Sequence, residues 1–286
     1  DARAAQRRAR THSRGARQKG RKAGVNAMKK ENPALYCRFM VDGRAYSGQI
    51  RGSSVDIVEG DPFAGITSQI RLSYPVERVK FLPPFAPKKI WCVGRNYVGH
   101  VKELDHDIPE EPLIFLKATS AITGANDFIR IPEWAGPIHY EGELAVVIGK
   151  GGKNIPEENV CEHILGYTIM NDVTARALQN KDGQWTRAKS FDTFAPLGPA
   201  VLLTKELPAS TRVVTRLNGR VVQDGAIEQM IFPIPRLISH ISRFATLEEG
   251  DVISTGTPQG VGEIKPGDLV EVEIEPIGKL RNICGE

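Results

Sequence analysis

Apolar and polar residues alternate with a period of two along much of this chain, and few stretches show the 3.6-residue period of a helix. Tyr36–Val41 alternates, Asp42-Gly43 is a two-residue hairpin signal, Arg44–Ile50 returns, and Ser54–Glu59 reads as a third strand. From Pro62 onward the pattern is irregular. The run Leu82-Pro83-Pro84-Phe85-Ala86-Pro87 is a stiff, extended link and the best domain boundary. Buried-type strands follow at Lys89–Val93, Leu113–Lys117, Leu144–Ile148 and Gly166–Asp172. Asn218-Gly219 joins Val213–Leu217 to Arg220–Gln223 in a second hairpin. Pro235–Ala245 is the clearest helix, with Leu237, Ile238, Ile241 and Phe244 on one face and His240 read as structural. Shorter helices are expected at the tail of Gly94–Leu104, at Glu157–Ile164 and at Val173–Asn180. Asp105–Pro112 is expected to be a mobile loop, and Ile129–Ile138 and Lys181–Ser190 are also expected to be loops. The pattern predicts a mainly β (α+β) protein in three parts: a disordered tail over 1–30, a small β domain over 31–84, and a larger domain over 85–286.

One strand departs from simple alternation. In His139–Lys150, HYEGELAVVIGK, Glu141 and Glu143 lie two apart and so project from the same face. That face continues with Ala145 and Val147, while Leu144, Val146 and Ile148 occupy the other. Two adjacent carboxylates against apolar surface repel each other and lose hydration, which is costly unless a cation or donors compensate. A hard divalent metal is the simplest answer, because Mg²⁺ and Ca²⁺ take oxygen ligands. Glu271, Glu273 and Glu275 share the spacing but alternate with Val270, Val272 and Ile274. They read as the solvated face of a half-exposed strand.

A third carboxylate, Asp172, ends a strand where a helix is expected to begin. It is either a helix N-cap or the third ligand of an all-carboxylate site. His100 and Glu103 are three apart and share a helix face. A carboxylate beside an imidazole orients the ring, as a general base needs, although such a pair is also common on surfaces. Lys189, beside an apolar, Pro-rich turn, is either exposed or a cation facing an anionic substrate. The Thr255–Gly262 stretch lacks the ending of a phosphate loop, but its glycines and the Thr257 hydroxyl could approach an anion closely.

Composition narrows the class. The chain has 286 residues, 41% hydrophobic and 25% charged, and no apolar run approaches a membrane span of ~20 residues. Cys37, Cys92, Cys161 and Cys284 form no paired spacing and read as reduced thiols of a cytoplasmic-type protein. The net charge of +4 conceals a division: residues 1–30 hold eleven Lys or Arg and one acid, while the rest holds 27 basic and 33 acidic groups. Three readings of the basic stretch compete. It is an extension upstream of a start at Met28, an organelle transit peptide, or a polyanion-binding arm. No aromatic residue is interleaved to stack on bases, which speaks against nucleic acid as a partner.

Several separate stretches together resemble the fumarylacetoacetate hydrolase family. They are GRNYVGHVKE (94–103), PLIFLK (112–117), HYEGELAVVIG (139–149), GYTIMNDVTAR (166–176), RAKSFDTFAPLGP (187–199) and TGTPQGVG (255–262). GDLVEVEIEPIGKLRN (267–282) fits the family's C-terminal strands. The resemblance is closest to short members acting as acylpyruvate hydrolases, oxaloacetate decarboxylases or tautomerases, and 2-hydroxyhepta-2,4-diene-1,7-dioate isomerases. It implies a rolled, mixed β-sheet domain, a homodimer, and Mg²⁺ or Mn²⁺, with Ca²⁺ as a substitute in crystals. By motif position it implies metal ligands at Glu141, Glu143 and Asp172, and a His100–Glu103 pair carried on a lid. It also implies an assisting Lys189, with Arg95, Lys117, Arg176, Gln179 and Thr257 at substrate-contact or supporting positions. Ala177 departs from the pattern, since many relatives place an aspartate there. The first expectation is metal-dependent C–C hydrolysis of a small 2,4-dioxo acid through an enolate. The alternative is isomerisation, tautomerisation or decarboxylation of related 2-oxo acids, which share that intermediate. A more distant alternative is polyanion binding through the tail.

Overall fold

The computed structural model describes residues 33–105 and 107–285. The readings of residues 1–30, as tail, transit peptide or polyanion-binding arm, therefore lie outside the described residues.

The hairpins form where the turn chemistry places them. Asp42 and Gly43 both take positive φ, 47° and 73°, and join Leu35–Val41 to Arg44–Arg51. Asn218 and Gly219, at 51° and 81°, join Arg212–Leu217 to Arg220–Ala226. Such turns twist in the sense the flanking strands require. Ser54–Asp61 is a strand, as its alternation predicts. The residues after Pro62 are not irregular, however: Gly65–Pro75 is an eleven-residue strand paired with Ser54–Asp61. Ile66, Ile70, Leu72 and Tyr74 keep a period of two along it, although nearly all of the strand is exposed.

A twelve-stranded sheet runs in the order Gly65–Pro75, Ser54–Asp61, Arg44–Arg51, Leu35–Val41, Ala195–Leu202, Ile164–Asn171, Gly142–Ile148, Val252–Ser254, Ile90–Gly94, Leu113–Lys117. Two short strands, Lys80–Leu82 and Ile122–Thr123, attach beside this path. Most pairs are antiparallel, but Val252–Ser254 and Ile90–Gly94 run parallel, so the sheet is mixed. Strands before and after Leu82–Pro87 share it through the pairing of Leu35–Val41 with Ala195–Leu202. A five-stranded sheet orders Arg220–Ala226, Arg212–Leu217, Leu269–Ile274, Gly278–Gly285 and Phe128–Arg130. A small third sheet holds Thr174–Ala175, Ile138–Tyr140 and Gly262–Ile264. The Ile129–Ile138 stretch is thus bounded by strands and contains a short 3-10 turn at Glu133–Ala135.

The central strand Gly142–Ile148 is buried along its whole length. Its two faces enter different cores, as the alternation predicts. Leu144, Val146 and Ile148 pack with Ile169, Leu202, Leu237 and Ile241, whereas Ala145 and Val147 pack with Met170, Val173, Ala195 and Leu197. The helix Ile234–Phe244 buries Leu237, Ile238 and Ile241. Each of these contributes roughly 2 kcal/mol of transfer free energy. Phe244 does not join them: it is 54% exposed and packs edge to face with Trp91 and His240. The expected Lys181–Ser190 loop contains a helical turn, Thr186–Lys189, and the preceding helix is Arg176–Asp182.

Candidate active site

Glu141 stands where the chain leaves the small sheet and enters the central one, between Ile138–Tyr140 and Gly142–Ile148. The antiparallel register pairs Gly142 with Asn171. Asp172 therefore falls opposite Glu141, and its N–H donates to the Glu141 carbonyl at 2.8 Å. The Asn171 side chain caps the Glu141 N–H at 2.9 Å. Asp172 is not a helix N-cap, because the next helix starts at Arg176 behind Ala175. Carboxylate oxygens of Glu141, Glu143 and Asp172 lie within 4.8 Å of one another, and all three residues are buried.

Three cations surround this cluster. Lys189 is 2% exposed, and its Nζ donates to Glu141 Oε2 at 2.9 Å and Asp172 Oδ2 at 2.6 Å. Its alternative reading as an exposed lysine fails because it and both partners are buried, the partners lying 48 and 17 residues away in sequence. Lys117 donates to Asp172 Oδ1 at 2.5 Å and to the Val173 carbonyl at 3.1 Å. Arg176 donates to Glu141 Oε1 at 2.5 Å and to Gln179 Oε1 at 2.5 Å. Burial works against the Lys189 charge, but Asp172 and Glu141 outweigh it and hold the ammonium above its usual pKa. For Lys117 burial prevails over Asp172 and lowers the pKa. Burial also disfavours the Glu141 charge, yet Lys189, Arg176 and His100 hold its carboxyl well below the ordinary range.

Glu143 is different. Among the described residues it has no ion-pair partner; it accepts only from Ser254 Oγ at 2.5 Å and the Gly256 N–H at 2.9 Å, both at Oε2. Burial, followed by the charges of Asp172 and Glu141, pushes its carboxyl well above the usual value. A buried carboxylate beside two others and without a cation is what a divalent ion would offset. The donor set is all hard oxygen, which fits Mg²⁺ or Mn²⁺. The control strand shows the contrast: Glu271 and Glu273 are half-exposed and pair with Lys279 and Arg216.

The cluster forms one wall of a cavity of about 700 Å³. His100 lies on another wall, on the short helix Val98–Glu103. Its Nδ1 is 3.3 Å from Glu103 Oε2, and the Glu103 carboxylate accepts from the Gly260 N–H at 3.0 and 3.2 Å. Arg95 also faces the cavity, with φ of 57°, and makes no side-chain hydrogen bond or ion pair among the described residues. Gln179 and Thr257 line it, whereas Lys117 is not among its walls and props Asp172 from behind. The Thr257 hydroxyl is already committed, donating to the Gly142 carbonyl at 2.8 Å.

The motif reading assigned no role to several groups that the fold brings here. His139 shares the strand face of Glu141 and accepts from Arg176 Nε at 3.5 Å; the period of two already pointed to it. Phe115 and Trp185 stack edge to face at 5.1 Å in the cavity wall, and Lys189 Nζ sits 5.0 Å from the Phe115 ring centre. Aromatic residues in a strand and a loop give no local signal of such a wall.

Gly142, between two of the carboxylates, has no room for a side chain. A Cβ there would lie 2.2 Å from Thr215 Oγ1 and 3.0 Å from a Val272 methyl. Gly142→Ala is expected to lower stability by about 1–3 kcal/mol through overpacking. A thermal melt in EDTA should show the corresponding fall of several degrees.

Comparison with known proteins assigns the chain to a class. Residues 89–284 match the family described as fumarylacetoacetate (FAA) hydrolase C-terminal, and residues 35–84 match one described as Rv2993c-like, N-terminal. The chain belongs to the fumarylacetoacetate hydrolase family. A Bacillus subtilis protein named oxaloacetate tautomerase YisK is 40% identical over 263 residues, covering 82% of this chain and 87% of that protein. A Xenopus laevis protein named oxaloacetate tautomerase fahd2, mitochondrial, is 46% identical over 217 residues, covering 71% and 68%. The crystal structure of a 5-carboxymethyl-2-hydroxymuconate delta-isomerase from Mycobacterium smegmatis is 41% identical, with a TM-score of 0.79 and coverage of 88% and 99%. The expected rolled, mixed β-sheet fold with a small N-terminal β unit is the fold found. Among the described residues no helix is long and apolar enough to cross a membrane.

Proposed function

We propose that the chain is a divalent-cation-dependent tautomerase or isomerase of small 2-oxo acids, moving a proton at the carbon beside the 2-oxo group. The observation that carries this reading is one cavity lined by both the three-carboxylate cluster and His100, whose ring is in turn held by Glu103. Glu141, Glu143 and Asp172 would hold Mg²⁺ or Mn²⁺. When bound, the cation supplies Lewis-acid stabilisation of the negative charge that develops on the 2-oxo oxygen.

The remaining roles belong to the chain. Lys189 adds positive charge beside the cluster, and Arg95, which has no partner among the described residues, is free to take a substrate carboxylate. Arg176 and Gln179 form the adjoining wall. With Nδ1 donating to Glu103, His100 keeps Nε2 as the basic nitrogen, which accepts the proton from the carbon beside the 2-oxo group and returns it to the 2-oxo oxygen in a tautomerase or to the far carbon of the conjugated system in an isomerase. The Phe115–Trp185 wall limits water on one side. Hydrolysis, the first expectation from sequence, would use the same pair to activate water. The names of the relatives support proton transfer instead, and proton transfer needs no further group. A homodimer, expected from the resemblance, is part of this proposal and is checked by light scattering.

A substrate panel tests the reaction class. Enol and keto oxaloacetate, 2-hydroxyhepta-2,4-diene-1,7-dioate and acetylpyruvate are assayed with Mg²⁺, Mn²⁺ and EDTA. The expected result is metal-dependent tautomerisation or isomerisation with little C–C cleavage. Cleavage of acetylpyruvate without tautomerisation of any substrate would return the reading to hydrolysis.

A further inference from the structure

Gln223 lies on the hairpin strand Arg220–Ala226, in the five-stranded sheet rather than the sheet that carries the carboxylates. It is nonetheless 1% exposed, and among the described residues every hydrogen bond of its side chain reaches the active-site strand or the Thr257–Pro258 loop. Its Oε1 accepts from the Gly142 N–H at 3.0 Å. Its Nε2 donates to Thr257 Oγ1 at 2.8 Å and to the Pro258 carbonyl at 2.8 Å. Thr257 Oγ1 in turn donates to the Gly142 carbonyl at 2.8 Å. Both backbone groups of the residue between Glu141 and Glu143 are therefore held by side chains. Ile164–Asn171 flanks Gly142 on one side, but on the other Val252–Ser254 pairs with Ala145–Val147 and stops short of it.

The hairpin is shaped for the contact. Its register shifts between Thr215 and Arg216, so that Thr215 faces Gln223 and Arg216 faces Val221, leaving Val222 unpaired. Such a bulge re-aims the following side chain. Thr215 packs against Gly142 from the same hairpin, yet its hydroxyl has no hydrogen-bond partner. Packing on this face is separate from the hydrogen-bonded clamp.

We infer that Gln223 is a positioning residue that, through Thr257, fixes the peptide between Glu141 and Glu143 and so sets the spacing of the carboxylates for a divalent cation. This rests on the cation reading of the site above. Loss of an outer hydrogen bond that orients ligands typically weakens metal binding by about 10–100-fold.

The test is Mn²⁺ titration of the full chain, followed by the electron paramagnetic resonance of free Mn²⁺, with thermal melts in EDTA alongside. Gln223→Met keeps the volume and removes the clamp. It is expected to weaken Mn²⁺ binding about 10–100-fold, while rates recover at saturating Mn²⁺. Thr215→Val, on the same hairpin, is expected to leave Mn²⁺ affinity unchanged. If Gln223→Met does not fold, Thr257→Val breaks the same clamp and carries the same expectation. A clamp variant with a lowered melting temperature but Mn²⁺ affinity within about threefold of native would overturn the inference and leave the proposed function standing. Native protein that binds no Mn²⁺ would overturn the cation reading itself, and this inference with it.

Discussion

Glu143→Gln is expected to give a folded protein that has lost its divalent cation and about 10³-fold in turnover. The amide keeps the volume and can still accept from Ser254 Oγ and the Gly256 N–H. It removes one negative charge from a buried cluster in which burial, Asp172 and Glu141 already disfavour that charge. Without metal, the variant should therefore melt at the same temperature as native or higher, because a like-charge repulsion has gone. Native protein should gain melting temperature on adding Mg²⁺, since a ligand that binds only the folded state stabilises it, and the variant should gain none. The activity loss follows from the several kcal/mol that charge stabilisation at a developing oxyanion contributes, at 1.36 kcal/mol per factor of ten. A Glu143→Gln protein with full metal-dependent turnover would remove the carboxylate site from the mechanism.

The second large effect is expected at His100, which lines the same cavity. His100→Ala should lower kcat by about 10²–10⁴-fold, the range for loss of a positioned general base, with Mn²⁺ affinity unchanged. No hydrogen bond joins His100 to any of the three carboxylates among the described residues, so the two sets of groups separate experimentally. Glu103→Gln should cost less than His100→Ala. A glutamine oxygen can still accept from the Nδ1–H at the 3.3 Å site or from the Gly260 N–H, but both bonds lose the strength that a charged acceptor gives them. Steady-state kinetics at saturating Mg²⁺ check both. A rise in KM with kcat preserved would mean that His100 binds substrate without moving a proton.

What the sequence revealed, and what it hid, follows from how local each signal is. Glu141 and Glu143 announce themselves because the period of two is a property of a single strand, and the division of Leu144, Val146 and Ile148 from Ala145 and Val147 follows from the same period. Asp172 is legible only as a strand end; its place opposite Glu141 is a fact of register. Lys189 reads equally well as a surface residue, since nothing near it in sequence shows that both its partners are buried carboxylates. Gln223 is harder still, a polar residue on a hairpin strand whose inward aim depends on a bulge. The strand Gly65–Pro75 carries a legible period of two in Ile66, Ile70, Leu72 and Tyr74, but Ser68 interrupts it and Pro62 and Gly65 stand just ahead of it. Phe244 was placed with Leu237, Ile238 and Ile241 by period, but at the last position of the helix it points largely into solvent. The motif resemblance supplies the assembly that local pattern cannot, but it ranks hydrolysis first on the presence of both His100 and Glu103, a pair that serves proton transfer as well as water activation.

The most direct test of the central claim is proton exchange at carbon. Oxaloacetate is incubated with native protein in D₂O, and deuterium entry beside the 2-oxo group is followed by nuclear magnetic resonance with Mg²⁺ and with EDTA. The account expects exchange well above the protein-free rate with Mg²⁺, a return to that rate in EDTA, and no faster loss of carbon dioxide. Exchange no faster than without protein, under conditions where acetylpyruvate is cleaved, would contradict it.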